Sequence, residues 1–258
     1  MFRPYDRCEY RQTVLIFPSN GFYAAIKVNI IMDQFKWADP PSRTAFPVAA
    51  PGYPFIYAAA FATVVFALIG FTVLAIVGLL ATIGICLFFR DPDRATPAAA
   101  NALVAPADGR VVFARKVDDN PYIDGPCIKV GIFMSVFNVH VNRMPFSGTI
   151  SDIRYYPGRF FSADKDKASF ENERNAVILQ TVDNHTIGVV QVAGLIARRI
   201  ISWVNVDETV ETGRRFGLIC FGSRVDLYLP EEAEVSVKPG DKVTAGFTII
   251  GRLPDPAE

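Results

Sequence analysis

The side chains best suited to move a proton near neutral pH are two histidines, His140 and His185. His140 lies in Asn-x-His-x-Asn. In an extended strand, Asn138, His140 and Asn142 would share one face, with Phe137, Val139 and Val141 on the other. Such a polar row suits a solvated surface as well as a functional one. His185, in DNHTIG, reads as a hairpin turn residue. The cysteines, Cys8, Cys86, Cys127 and Cys220, have neither Cys-x-x-Cys nor Cys/His spacing. Unpaired thiols in a reducing compartment are therefore expected, with no metal site. A serine behind a glycine, Gly222-Ser223, divides the apolar alternation Leu218/Cys220 from Val225/Leu227/Leu229 and predicts a hairpin or sharp bend. Asp108-Gly109, in APADGRVV, predicts a turn before a strand.

The elements that must position these residues fall into two classes. From Leu103 onward, short β-type runs such as GRVVFARKV, AVILQTV and RVDLYL alternate with Gly, Pro, Asp and Asn turns, and helix signals occur only around residues 198 to 204. This pattern predicts a mostly β, β-rich α+β domain over 103–258. A long segment without strand pattern, residues 157 to 175, marks a functional or disordered loop. Ahead of this domain, Tyr53 to Phe89 carries no charge and predicts a transmembrane or membrane-inserted helical segment. As one helix it would run about 55 Å, well beyond a hydrocarbon core of about 30 Å. Lys36 and Arg43 before it and Arg90 and Arg94 after it draw both flanks to the cytoplasm, which a hairpin turning near Gly70 satisfies. A single tilted helix is the other arrangement left open. Residues 90–102, rich in Pro, Ala and charge, read as a linker, and 1–52 as an N-terminal arm. Within that arm, 1–31 lacks a core of its own, and Met32 is a candidate native start. With no net charge on 258 residues, no nucleic-acid partner is expected.

Taken in order, GYPF, FFRDPDR, PADGRV, FNVHVNRMP, DKASFENERN, QVAGLIARRI, RFGLICFGSR and GDKVTAGFTIIG resemble phosphatidylserine decarboxylase proenzymes of the short, membrane-bound bacterial type. The likeness runs from about Gly52 to the C-terminus. It implies a pyruvoyl-dependent carboxy-lyase at the inner membrane, with its catalytic domain cytoplasmic, converting phosphatidylserine to phosphatidylethanolamine and CO₂. By this resemblance, Ser223 Oγ attacks the Gly222 carbonyl, the peptide rearranges to an ester, and β-elimination splits the chain. The dehydroalanine left at 223 hydrolyses to a pyruvoyl group with loss of ammonia. A β chain, 1–222, and an α chain, 223–258, would then stay together as a heterodimer. The pyruvoyl ketone would form a Schiff base with the substrate amine, and His140 would reprotonate the decarboxylated carbon. Asp108 matches an aspartate that supports self-cleavage. The chain departs from the family's patterns at two places: Arg143 stands where a second histidine is usual in the long form, and Arg224 where threonine often follows Gly-Ser. The group that activates Ser223 is thus left open. Arg198 and Arg199 are candidates for the phosphodiester or carboxylate, and Phe160 and Phe161 for contact with the lipid interface.

Two other readings compete. VKPGDKVTAGFTIIG also looks like the paired turns of biotinyl or lipoyl carrier domains, which would make a noncatalytic membrane-tethered module, but the tail has no Met-Lys or Ala-Lys pair to modify. Another serine-headed phospholipid would present the same amine and carboxylate to the same chemistry.

Overall fold

In the computed structural model the described residues are 35–42, 44, 46–163, 168–195, 199–220 and 222–255. The expected arm over 1–31, the candidate start Met32, and the residues Arg43 and Arg198 lie outside them.

The uncharged run folds into helices α1 (Tyr53–Leu68) and α2 (Thr72–Phe88), which turn back on each other at Gly70, where φ is +82°. That backbone conformation favours glycine. The helices touch through small polar side chains: Thr63 Oγ1 and Thr82 Oγ1 lie 3.5 Å apart, and each also bonds a carbonyl one turn back in its own helix, Ala59 and Gly78. The outer faces carry Phe61, Leu68, Phe71, Val73 and Leu80 exposed. The hairpin's base is packed differently, since Phe88 and Phe89 are buried with Ala49, Val139, Val141, Leu218 and Cys220.

The strands are β1 (Phe35–Lys36), β2 (Thr96–Pro97), β3 (Ala102–Val104), β4 (Gly109–Val117), β5 (Cys127–Met134), β6 (Val141–Arg143), β7 (Gly148–Tyr156) and β8 (Arg174–Gln180). There follow β9 (Thr186–Val192), β10 (Ile200–Ser202), β11 (Thr209–Val210), β12 (Arg215–Ile219), β13 (Ser223–Pro230), β14 (Glu234–Val235), β15 (Lys242–Val243) and β16 (Ile249–Arg252). Among the described residues an eight-stranded antiparallel sheet runs β11-β7-β8-β9-β13-β5-β4-β15, accompanied by three-stranded sheets β10-β12-β6 and β14-β16-β3 and the pair β1-β2. A short helix, α3 (Ala168–Glu171), precedes β8.

The large sheet separates two cores, because alternate residues of a strand face opposite sides. Val225, Leu227 and Leu229 of β13 join Val177, Leu179, Ile132 and Phe216 on one side. Tyr228 joins Tyr122, Ile178 and Val190 on the other. Buried on both faces, β13 lies at the centre of the sheet, paired with β5 from Ser223↔Met134 to Pro230↔Cys127 and with β9 from Arg224↔Val192 to Tyr228↔Gly188.

Two sequence expectations are revised at the level of elements, and one open alternative is decided. The helix signal at 198–204 gives way to β10, whose Ile200 and Ile201 pair with Ile219 and Leu218; β-branched residues fit a pleated edge better than a helix. The Asn-x-His-x-Asn row is not a continuous strand. Ser135 to Asn138 form a turn in which Asn138 Oδ1 accepts from Ser135 N and Oγ, and β6 begins only at Val141. From Val139 to Asn142 every residue is buried, His140 and Asn142 included, so the polar row is not a solvated face, and exposure is confined to its start at Phe137. At Gly222-Ser223 the chain bends rather than forming a hairpin: β12 pairs with β6 and β10, whereas β13 pairs with β5 and β9.

Candidate active site

Ser223 is the first residue of β13, fully buried, and its Oγ has no hydrogen-bond partner among the described residues. Gly222, at φ +60°, makes the bend that carries the chain from one sheet into the other. Its carbonyl is packed against Gly194 so closely that a Cβ at 194 would stand 1.9 Å from the oxygen. No residue larger than glycine fits there without moving the Gly222 peptide.

His140 is also fully buried. Its Nδ1 lies 3.0 Å from the Asn138 carbonyl, a group that only accepts, so Nδ1 carries the proton and Nε2 the lone pair. Nε2 is buried and has no partner among the described residues. The Phe88 ring covers the imidazole at 4.2 Å between centroids. Burial lowers the pKa of His140 to about 4; the Asn138 carbonyl opposes the shift, Arg90 adds to it and Asp108 opposes it. The ring is therefore neutral at pH 7.

Strand pairing draws these residues to one end of the large sheet. Met134 ends β5 opposite Ser223, and Asn142, two residues beyond His140, donates to Met134 Sδ at 3.6 Å. Asn142 Oδ1 accepts from Gln191 Nε2 at 2.9 Å, and Gln191 pairs with Val225 across β9 and β13. On the other side of β5, β4 starts at Gly109, with Arg110 opposite Phe133, so Asp108 comes to the same end. Asp108 does more than form a turn. Its carboxylate takes both Arg94 NH1 and NH2, at 2.5 and 2.8 Å, and accepts from Ala245 N at 2.8 Å.

Arg94 closes a charged strap that leads out of α2. Arg90 donates to the carbonyls of Leu87 and Phe137. Asp91 and Asp93 bind Arg215, which also takes Asp39. Arg143, the residue standing in place of a second histidine, belongs to this strap: it donates to Gly213 O and Pro92 O and lies 3.7 Å from Asp91. Burial lowers its pKa to about 10, which still leaves it charged at pH 7.

A second buried group underlies the start of β13, on the face opposite Ser223. Arg224 forms a fork with Asp226, donates to Ala163 O and bonds Ser169 Oγ, and Lys129 Nζ lies 3.2 Å from Asp226. Burial would raise Asp226, but Arg224 and Lys129 outweigh it and hold the carboxyl below its ordinary range. Buried charges survive only when paired in this way. The sequence signal for this cluster was Arg224 itself.

With this geometry in place, comparison with known proteins is decisive. A family model described as phosphatidylserine decarboxylase matches residues 82–251. The chain belongs to the phosphatidylserine decarboxylase family. It is 49% identical over 207 residues to the phosphatidylserine decarboxylase proenzyme of Desulfotalea psychrophila, covering 80% of this chain and 97% of that one. It is similar to the proenzyme of Geotalea uraniireducens, at 48% over 208 residues, with 81% and 97% covered. The proenzyme of Ralstonia nicotianae is 52% identical over 174 residues, 67% of this chain and 80% of its own. A phosphatidylserine decarboxylase is a carboxy-lyase, so a noncatalytic carrier module is not favoured.

Arg199 is exposed, and its carbonyl accepts from Cys220 N at 3.1 Å. Phe160 packs against the main core, and Phe161 is half-buried, its backbone held on both sides by the Asn172 amide. Gly194, Phe88 and Arg94 were given no role at the site by sequence reasoning, although each lies in a stretch that carries the resemblance, Gly194 in QVAGLIARRI and Phe88 and Arg94 in FFRDPDR.

Proposed function

We propose that the chain is made as an inactive precursor, cuts itself between Gly222 and Ser223, converts Ser223 to a pyruvoyl group, and then decarboxylates phosphatidylserine. The observation that carries this reading is the Ser223 hydroxyl, buried without a partner among the described residues beside a glycyl carbonyl at φ +60°. Leaving a buried hydroxyl unsatisfied costs about 1–3 kcal/mol, and such groups cluster where chemistry needs them. In the cut, Oγ bonds to the Gly222 carbonyl carbon as the C–N bond breaks. The ester then loses the Gly222 carboxylate by β-elimination, and water releases ammonia from residue 223. His140 is the base for the first proton, because its ring is neutral and its Nε2 lone pair is free among the described residues. Asp108, fixed by Arg94 and Ala245 N, holds a negative charge near the imidazolium that forms.

The residues present fit a pyruvoyl group at 223, since the required serine already stands at a strand start within an intact ladder. When formed, that ketone supplies an electron sink for the carbanion left by departing CO₂. His140 then returns a proton to the carbon that lost CO₂, once substrate and water have replaced its dry surroundings and its pKa has risen. The α1–α2 hairpin inserts in the inner membrane. Its two helices turn back on each other at Gly70, so both ends and the β domain lie on one side, the cytoplasmic one, toward which Arg90 and Arg94 are drawn.

Ser223→Ala tests the reading directly. Intact mass should show one uncut chain, and phosphatidylserine should release no CO₂, because alanine has no oxygen for the acyl shift. A cut at 222/223 in that variant overturns the mechanism.

A further inference from the structure

Where α2 meets the β domain, an apolar groove of about 470 Å³ runs along the last turns of the helix. Gly84, Ile85 and Phe88 line one side, Val136 and Phe137 the other, and Arg90 stands at its end. Its size lies within the ~300–1,000 Å³ of small-molecule clefts. Phe137 is 84% exposed, an unusual state for a phenylalanine on a folded domain. It is held there: Asn138 ties the 135–138 turn, and Arg90 NH2 donates to the Phe137 carbonyl at 2.7 Å. Opposite it, a Cβ built on Gly84 would meet nothing within 4 Å, so the helix contributes open space. The inner wall is Phe88, which also lies against the imidazole of His140, at 4.2 Å between centroids.

We propose that this groove takes one acyl chain of the substrate phospholipid, laying it against α2 so that the headgroup is delivered past Phe88 to His140 and Ser223. The inference rests on the decarboxylase reading and adds the lipid subsite to it. The occupant is argued from continuity and charge. The groove is an extension of the exposed apolar surface of α1 and α2, so a chain can enter it from the bilayer without crossing water. At its polar end the Arg90 guanidinium is complementary to a phosphodiester. Phe88 then has two jobs: it closes the dry precursor site, and it yields that site when the lipid arrives.

The test uses the full-length chain in detergent micelles with two substrates, dioleoyl- and dihexanoyl-phosphatidylserine. Gly84→Phe, which fills the groove, should raise the ratio of KM for the long-chain lipid to KM for the short-chain lipid about tenfold, a change of about 1.4 kcal/mol in relative binding. An unchanged ratio overturns the proposal, and so does equal impairment on both lipids with lost self-cleavage, which would mean that Gly84 only packs the hairpin. A second measurement does not need turnover. Phosphatidylserine carrying a diazirine in one acyl chain should label the segments 81–90 and 136–137 of the Ser223→Ala precursor, and Gly84→Phe should abolish that labelling. Labelling spread evenly along α1 and α2 would reveal ordinary bilayer contact and overturn the proposal. If the wild-type chain releases no CO₂ from either lipid, the decarboxylase reading falls, and the labelling pattern alone decides the groove.

Discussion

At the scale of residues, the proposed nucleophile, Ser223, and the proposed base, His140, are both fully buried. His140 has its folded pKa depressed below the ordinary histidine value, to about 4, so the neutral form persists in the precursor as the pH falls from 8 to 5. For precursor made by cell-free synthesis, the cutting rate should be flat over that range and decline as the pH falls through about 4, where the ring takes up a proton and its lone pair is lost. The same rate and profile in His140→Gln would show that His140 is not the base. Gly194 supplies an independent check. Adding a methyl group there would put a carbon 1.9 Å from the Gly222 oxygen, so the peptide must shift. Gly194→Ala should slow cutting by about 10²-fold, the usual effect of a displacement of about 1 Å, and a time course on a denaturing gel reads it. Gly194→Ala cutting at the normal rate would mean that the packing of this carbonyl is irrelevant to the step.

At the scale of elements, β13 explains how a chain can be cut without coming apart. The proposed cut falls directly before the first residue of the ladder, and from Ser223 to Pro230 the strand is bonded to β5, with β9 on its other flank. Both faces are buried, Val225, Leu227 and Leu229 in one core and Tyr228 in the other. The Arg224–Asp226 pair below the first turn of the ladder further fixes the new terminus. Cut enzyme should therefore migrate as one species under native conditions in mild detergent and resolve into two chains only when denatured. Separation of the short chain under native conditions would show that this burial is not enough to hold it. The strap from Arg90 to Arg94 ties the hairpin to Arg215, Arg143 and Asp108 through buried or half-buried charges. Its composition had suggested a linker, because Pro and alternating charge look alike in solvent and in an ion-pair network.

At the scale of the whole molecule, a β domain and an apolar hairpin share one junction, the cluster of Phe88, Phe89, Val139, Val141 and Leu218 around His140. The tip of the hairpin is remote from that junction. Leu68→Glu with Phe71→Glu should thus leave cutting intact and weaken binding to liposomes, since the tip must enter the hydrocarbon core, where a carboxylate costs up to about 2.5–3.5 kcal/mol at the midplane. A flotation assay beside a denaturing gel separates the two effects, and full liposome binding by the double variant would count against tip insertion. Much of this organisation was legible from sequence because it is local. An uncharged run declares an apolar helical segment by its composition and length, strands declare themselves by alternation, and FGSR, PADGRV and FNVHVNRMP are contiguous motifs that identify the family. What lay beyond the sequence depends on residues distant along the chain. That Asn142 is buried against Gln191, that Gly194 backs the Gly222 carbonyl, and that Arg94 rather than solvent neutralises Asp108 are facts of strand order and packing. Local propensity misled at residues 200–202, where pairing with β12 decided for strand. Identity of the reacting residues is a property of the chain; their dryness, tautomer and partners are decided only when sheets and hairpin close on one another, because burial and electrostatics are collective.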